Sequence, residues 1–446
     1  MSDISFQLKK SVQEVPFTLV EGKENCFLTS DVPNIADILL SIDDTERTFV
    51  MSQSDIESLD ESDGVIAERL ANLYRVWIEK QNIGLDPDSY TSVIHEKEIK
   101  YSHSDIYIEN KPFSIWQIVD YIDKQILNVS PDFQRNFIWD KGRQSRLIES
   151  ILLGLPLPAI YLTQFEDGSL AVVDGLQRIS TIYSFMSNKL RLCHLEYLKE
   201  CEGCTYRELE NKLSPLVFRM FDQTSMICFV IDRRSPYQLK YDLFKRLNTG
   251  GMPLNNQEIR NCLSKKPLQQ VLKRMVESQA FLDATDRSIN NYRMDAQEMA
   301  LRFIYFYDEY STDNVIGTYV GNLDLVLNKK VEELNRISDY TLYESAFELA
   351  LTRAYSLFGE YTFRKRLPDD RGRRRINKSI FVAITVILAR DGEKYKYDKK
   401  LVEEFTKLLG EDMKLFNAVT WSTTSSVNTE YVIRSFQYLF DTNILL

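Results

Sequence analysis

The run Ser169–Arg178, SLAVVDGLQR, constrains this chain more than any other stretch of it. Its apolar first half reads as a buried strand, Asp174-Gly175 breaks that strand, and Ile179, Ile182, Tyr183, Phe185 and Met186 then recur at helical spacing. A strand that runs straight into a helix needs a sheet with a helix laid on it, so a mixed α/β unit is expected here. The first N–H groups of such a helix lack intrahelical partners, and the helix dipole places partial positive charge on them. Gly175 allows close approach of a bound group to the backbone. Arg178 carries a planar fork that matches phosphate oxygens. Asp174 can hold a metal ion, orient a water or pin the arginine, and Gln177 can donate to a phosphate. Ser180 and Thr181 add hydroxyls. The plain alternative is an Asp-Gly turn that caps a helix beside a solvated arginine, and these residues alone do not decide between the two.

The surrounding text supplies the rest of that unit. Phe113 to Leu127 has helical spacing with Ser114 as N-cap, and Val129 to Trp139 is extended because Pro131 bars a helix through it. Arg143 to Leu153 is helical and stops at Gly154. Ala159–Phe165 and Ser169–Val173 form a hairpin through Glu166-Asp167-Gly168. Met226–Ile231 suits a buried strand, and Ser235-Pro236 opens a helix that ends at Asn248-Thr249-Gly250-Gly251. Asn255 to Glu258 has the pattern of a capping box. Beyond it the chain reads mainly as helices, including Met294–Tyr307, Tyr343–Tyr355 and Ile380–Leu388. The expected class is α+β, a small mixed α/β domain followed by a mainly helical one. The expected domains are an acidic accessory segment, partly helical, at 1–104, the mixed domain at 105–265, and a helical domain at 266–446.

Net charge is −10, but its distribution matters more than its sum. Residues 1–100 hold 20 of the 65 acids and 9 of the 55 bases, which leaves 45 acids and 46 bases in the rest. The bulk of the chain can therefore carry basic patches. One is visible. Arg364, Lys365, Arg366, Arg371, Arg373, Arg374, Arg375 and Lys378 stand against only Asp369 and Asp370 in the interval 364–378. It reads either as a solvated loop or as a contact for the phosphate backbone of DNA. No apolar run is long enough to span a bilayer, and MSDISFQLKK has no signal-peptide character, so a cytoplasmic protein without a membrane is expected. Six cysteines in a chain of 446 residues make no disulfide framework. Cys201-x-x-Cys204, with Cys193 and His194 close by, is a weak zinc pattern, and buried thiols are the favoured reading.

Three segments in order carry a resemblance. They are Gln134-Arg135 with Trp139, Asp174 through Thr181, and Phe244 through Leu254. Together they resemble the ParB/sulfiredoxin-like domain of the N-terminal half of GmrSD-type restriction enzymes, which has a Q-R segment followed by Trp, a D-G-Q-Q-R-x-x-T motif and an F-x-R-x-N-x-x-G-x-x-L motif. The similarity extends through Arg293 to Arg302 and covers roughly residues 105 to 440. Leu176 departs from it, standing where the family has its first Gln.

The resemblance implies binding and hydrolysis of a nucleoside triphosphate, with Mg2+, by a protein that acts with DNA in restriction or anti-phage defence. Asp174, Gln177 and Arg178 would be catalytic, with Asp174 also the metal ligand and Arg178 stabilising charge on the transferred phosphoryl group. Gln134, Arg135, Trp139, Gly175, Thr181, Asn248, Thr249 and Gly250 would hold the nucleotide. A non-catalytic nucleotide- or DNA-binding adaptor and a DNA-nicking nuclease are the alternatives. The histidines are His95, His103 and His194, so the C-terminal half has none from which to build an H-N-H nuclease site. That leaves either half of a two-gene system, with a separate H-N-H-type nuclease subunit as partner, or a nucleotide-driven sensor, and a homo-oligomer is compatible with both.

Overall fold

The computed structural model describes residues 3–9, 14–21, 26–30, 32, 35–43, 48–61, 66, 69–70, 73–74, 106–129, 139–247, 254–289, 291, 293–368, 374–396 and 400–445. Two compact units divide the chain. The first holds residues 1–81 and 108–232 with 250–252, and the second holds 82–107, 233–249 and 253–446. In this division the helix Tyr237–Leu247 falls in the second unit.

The first unit contains two five-stranded sheets, each over its own core. The N-terminal sheet is an antiparallel meander of β1 (Asp3–Gln7), β2 (Glu14–Glu21), β3 (Cys26–Thr29), β4 (Ile38–Asp43) and β5 (Thr48–Met51). Phe6, Phe17, Leu28, Leu40 and Phe49 are almost wholly buried on one face. Ile66, Leu70, Leu73 and Tyr74, the described positions of a helical run, join the same core. The helical positions expected in this segment are accompanied by five strands that the sequence reading does not anticipate. Short strands with period-two burial hide among Ser and Asp, and composition alone does not reveal them.

The second sheet has the order β6–β10–β8–β9–β7, built from β6 (Ile108–Ser114), β7 (Leu127–Asn128), β8 (Ile160–Gln164), β9 (Leu170–Asp174) and β10 (Ser225–Ile231). β8 and β9 are the expected antiparallel hairpin, closed at Gly168, and β10 runs parallel to β8. Phe113 lies in β6, so the helix expected from it begins later, at Ile115, where the Ser114 hydroxyl accepts the Gln117 N–H at 3.1 Å. A helix over Lys141–Leu152 ends near Gly154, and another over Leu176–Met186 follows β9 directly. Ile148, Ile151, Ile179, Ile182 and Phe185 bury the apolar sides of these two helices against the sheet's core residues Ile160, Leu162 and Val172.

In the second unit, the helix Lys378–Arg390 is apolar all round, with Ile380, Phe381, Ile384 and Ile387 fully buried. Such a helix belongs in an interior. The helices Asp295–Glu309, Thr341–Phe358 and Ser426–Asn443 pack around it. The helix Asn256–Cys262 opens with the expected capping box between Asn255 and Glu258. The Ser235 hydroxyl bonds the backbone of Tyr107, accepting its N–H at 3.1 Å. The α+β class stands. Among the described residues no helix is long and apolar enough to cross a membrane.

Candidate functional site

The turn after β9 is shaped by one side chain. Arg178, in the first turn of Leu176–Met186, folds back so that Nη2 donates to Asp174 Oδ2 at 2.9 Å. Its Nη1 donates to the carbonyls of Pro158 and, at 3.2 Å, Ala159, just ahead of β8. The guanidinium therefore ties the start of one strand of the hairpin to the end of the other. Its side chain is only 12% exposed, against 37% for Asp174. Burial pulls the Arg178 pKa down from its ordinary value, and the Asp174 carboxylate opposes that shift. Gly175 has φ +97°, and a Cβ there would lie 3.0 Å from Ile160 Cγ1 and 3.1 Å from Arg178 Nη2. Glycine is thus required twice over, for its backbone angle and for the guanidinium lying against it. A register irregularity between Tyr161 and Leu162 sits opposite Asp174, where bulges commonly re-aim side chains.

Gln177 joins this turn to a second helix. Its Oε1 accepts the Trp139 N–H at 3.1 Å, while Gln144 Nε2 donates to the Trp139 carbonyl at 2.6 Å. Trp139 is half-buried against the core, with the Arg143 guanidinium 4.7 Å from its ring centroid. The N-termini of Lys141–Leu152 and Leu176–Met186 are thereby held together through one backbone residue. Lys141 and Arg143 occupy the first turn of the former helix. Asp140 caps the same helix end, its Oδ1 accepting the Arg143 N–H at 2.8 Å, so an acidic side chain already faces this positive terminus. The reading of the residues overlooked this pair. Its available signal was a basic Lys-Gly-Arg run immediately after the N-cap Asp140.

Of the residues expected at the site, the structure brings together Trp139, Asp174, Gly175, Gln177 and Arg178. Thr181 is 3% exposed, and Leu176 packs partly against the core. Arg178 is turned inward rather than presented to solvent, so the direct phosphoryl contact expected of it gives way to a clamp on the turn. Gln134, Arg135, Asn248, Thr249 and Gly250 lie outside the described residues. Asp174 has a carboxylate open enough for a cation, yet among the described residues no group of three or more His, Cys, Asp or Glu is placed to hold a metal ion. Cys201 and Cys204 sit in the hydrophobic core, and burial pushes the Cys201 thiol up to about 11.

The basic interval 364–378 splits on inspection. Arg364 is 5% exposed and donates to the Arg374 carbonyl at 2.6 Å and to Ser288 Oγ at 3.0 Å. Its charge is spent inside the fold, which corrects its expected place on a DNA-binding surface. Lys378 is likewise buried, beside Asp295 and Glu298. Arg366 lies over the Tyr361 ring at 3.9 Å, Lys365 and Arg374 are half-buried, and Arg375 is exposed. Arg371 and Arg373 lie outside the described residues.

A second charged cluster lies in the helical unit. Arg260, fully buried, donates to Asn328 at 2.9 Å and pairs with Asp324 and Glu298. Glu298 also pairs with Arg302 and Lys378. Burial would raise the Glu298 pKa, but Lys378, Arg302 and Arg260 hold it well below the ordinary carboxylate range. This network explains why Arg293 to Arg302 is so rich in charge.

The sheet, its strand-to-helix turn and the paired helix N-termini describe a mixed α/β domain. Residues 115–264, 150 of the 446, match the family model for the GmrSD restriction endonuclease, N-terminal domain. No curated protein and no solved structure matches the chain.

Proposed function

We propose that the edge formed by Asp174–Arg178 and Trp139–Arg143 binds the phosphates of a nucleoside triphosphate and hydrolyses it, in a restriction system that acts on DNA. The observation that carries this reading is the pair of helix N-termini joined through Trp139 and Gln177, with Lys141 and Arg143 set against the helix dipole. Two positive helix ends and two cations would concentrate the attraction that a chain of phosphates needs. A bound magnesium ion would draw on Asp174 and supply charge neutralisation on the phosphate oxygens. Asp174, fixed by Arg178, would orient a water in line with the terminal phosphorus. The water forms the new P–O bond as the bond to the bridging oxygen breaks, and its proton leaves to solvent. Arg178 acts here as a positioning residue, and Gln177 sets the distance between the two helices.

The half-buried Leu176 gives a second reading some support, since a Gln in its place would have a polar group to offer. In that reading the domain binds nucleotide without turning it over and serves as a sensor. Cutting of DNA would in either case belong to a separate nuclease chain. Equilibrium binding of a non-hydrolysable triphosphate analogue with Mg2+ tests the site. Arg143→Ala should weaken binding about tenfold or more, the worth of one charge-assisted contact. Unchanged affinity in that variant, or no binding by the native protein, would refute the assignment.

A further inference from the structure

The face of the second sheet turned away from its helices carries two large aromatic rings that no core uses. Side chains alternate between the two faces along a strand. In β8 and β10, Ile160, Leu162, Met226, Cys228 and Val230 point into the core beneath the helices. Tyr161 and Phe229 therefore point the other way, and neither belongs to any of the three hydrophobic cores of the described residues. Both are half-buried, although β8 and β10 are interior strands. Their rings stack, with centroids 5.2 Å apart and planes inclined by 29°.

The strand register places this pair beside the Asp174 turn. Phe229 pairs with Tyr161 across β10 and β8, and Tyr161 pairs with Asp174 across β8 and β9. Cross-strand partners share a face and stand about 5 Å apart, so Asp174, Tyr161 and Phe229 form one row. On one side of the row Ile231, Thr163 and Ala171 are buried, and on the other Ile227 is 50% exposed. The row thus stands where the face opens, at the end of the sheet that carries the turn. Phe229 covers one side of the Tyr161 ring, so the other side is turned toward β9 and Asp174. A flat π-surface next to groups that bind phosphates suits a nucleobase, because every base has a π-face that stacks on an aromatic side chain.

We propose that the base of the bound nucleotide stacks on Tyr161, extending the Phe229–Tyr161 stack by one ring. The site then takes a nucleoside polyphosphate in preference to a bare polyphosphate chain. The proposal rests on the phosphate reading of the Asp174 turn and adds the group that recognises the other end of the ligand. Stacking tolerates any base, so selection among the four bases is weak.

The test compares the full chain's affinity for inorganic tripolyphosphate with that for the β,γ-imido analogues of ATP, GTP, CTP and UTP, each with Mg2+, by calorimetry. The native protein should bind the analogues about 5- to 150-fold more tightly than tripolyphosphate, the worth of one base stacked on an aromatic ring. Tyr161→Leu keeps an apolar side chain on the strand. It should bring the analogues down to the affinity for tripolyphosphate and leave tripolyphosphate binding unchanged. Tyr161→Phe keeps the ring and should behave as the native protein, which separates lost stacking from a damaged fold. Equal native affinity for tripolyphosphate and the analogues overturns the base assignment and leaves the phosphate reading standing. Binding of neither overturns the phosphate reading and this proposal with it. A native-like preference in Tyr161→Leu, its loss in Tyr161→Phe, or a parallel loss of tripolyphosphate binding in Tyr161→Leu also overturns the proposal. So does a single-stranded oligonucleotide that binds through Tyr161 while an analogue saturates the turn, since the ring then serves DNA instead.

Discussion

Replacing Gly175 by Ala tests how the turn is built. A non-glycine residue in the left-handed region costs about 1–2 kcal/mol from backbone strain alone. At Gly175 the added Cβ also meets Ile160 at 3.0 Å and the Arg178 guanidinium at 3.1 Å. To relieve the contact Arg178 must move, and it then stretches its bonds to Asp174 and to the Pro158 and Ala159 carbonyls. Losing one or two of these adds about 1–2 kcal/mol, for a total of about 2–4 kcal/mol. Gly168 supplies the control, since it has φ +83° but nothing within 4 Å of its added Cβ. Because a chain with several cores does not unfold in one step, local hydrogen exchange over residues 158–186 is the appropriate assay. Exchange there should accelerate about 30- to 700-fold in Gly175→Ala. In an Arg178→Ala background the same substitution should cost about 1 kcal/mol less, because the clash partner is gone. Equal costs at Gly175 and Gly168, or no change in the Arg178→Ala background, would refute the clamp.

Other outcomes follow from the same geometry. Glu298→Gln leaves Arg260, Arg302 and Lys378 short of a shared anion, and should destabilise the helical unit by about 3 kcal/mol in urea unfolding at neutral pH. The folded-state pKa of Glu298 is depressed, so its stabilisation is complete above its unfolded value, near 4.5, and is lost as pH falls below that. The acid limb of the stability curve should therefore flatten in Glu298→Gln, and a curve parallel to the native one would contradict the network. Arg364→Ala should lower stability by about 2–4 kcal/mol without altering the salt dependence of DNA binding, whereas Arg375→Ala should leave stability intact. A shallower salt slope in Arg364→Ala would place that residue on the surface after all.

What the sequence reveals and what it hides follow from the range of the interactions. The strand, turn and helix from Leu170 to Met186 are specified by neighbours and are read correctly from their pattern. The capping box at Asn255 and the N-cap at Ser114 are equally local. The inward fold of Arg178 is not, because two of its acceptors lie 19 and 20 residues upstream. Motif spacing shows that an arginine is present and says nothing of where its donors go. Arg364 misleads in the same way, as charge density along the chain does not distinguish a buried guanidinium from a solvated one. Arg260 draws no attention in sequence because its partners Asp324 and Asn328 come from a helix more than sixty residues away. The N-terminal strands escape because four to eight residues of period-two burial leave little trace amid acidic, serine-rich text.

Phosphate release by the purified protein, with Mg2+ and each nucleoside triphosphate in turn, with and without DNA, bears most directly on the central claim. The account predicts saturable release by the native chain and a fall of at least about a hundredfold in Asp174→Asn, with the fold intact by Tm. Release that persists unchanged in Asp174→Asn, or a native protein that neither binds nor hydrolyses any triphosphate, would contradict it.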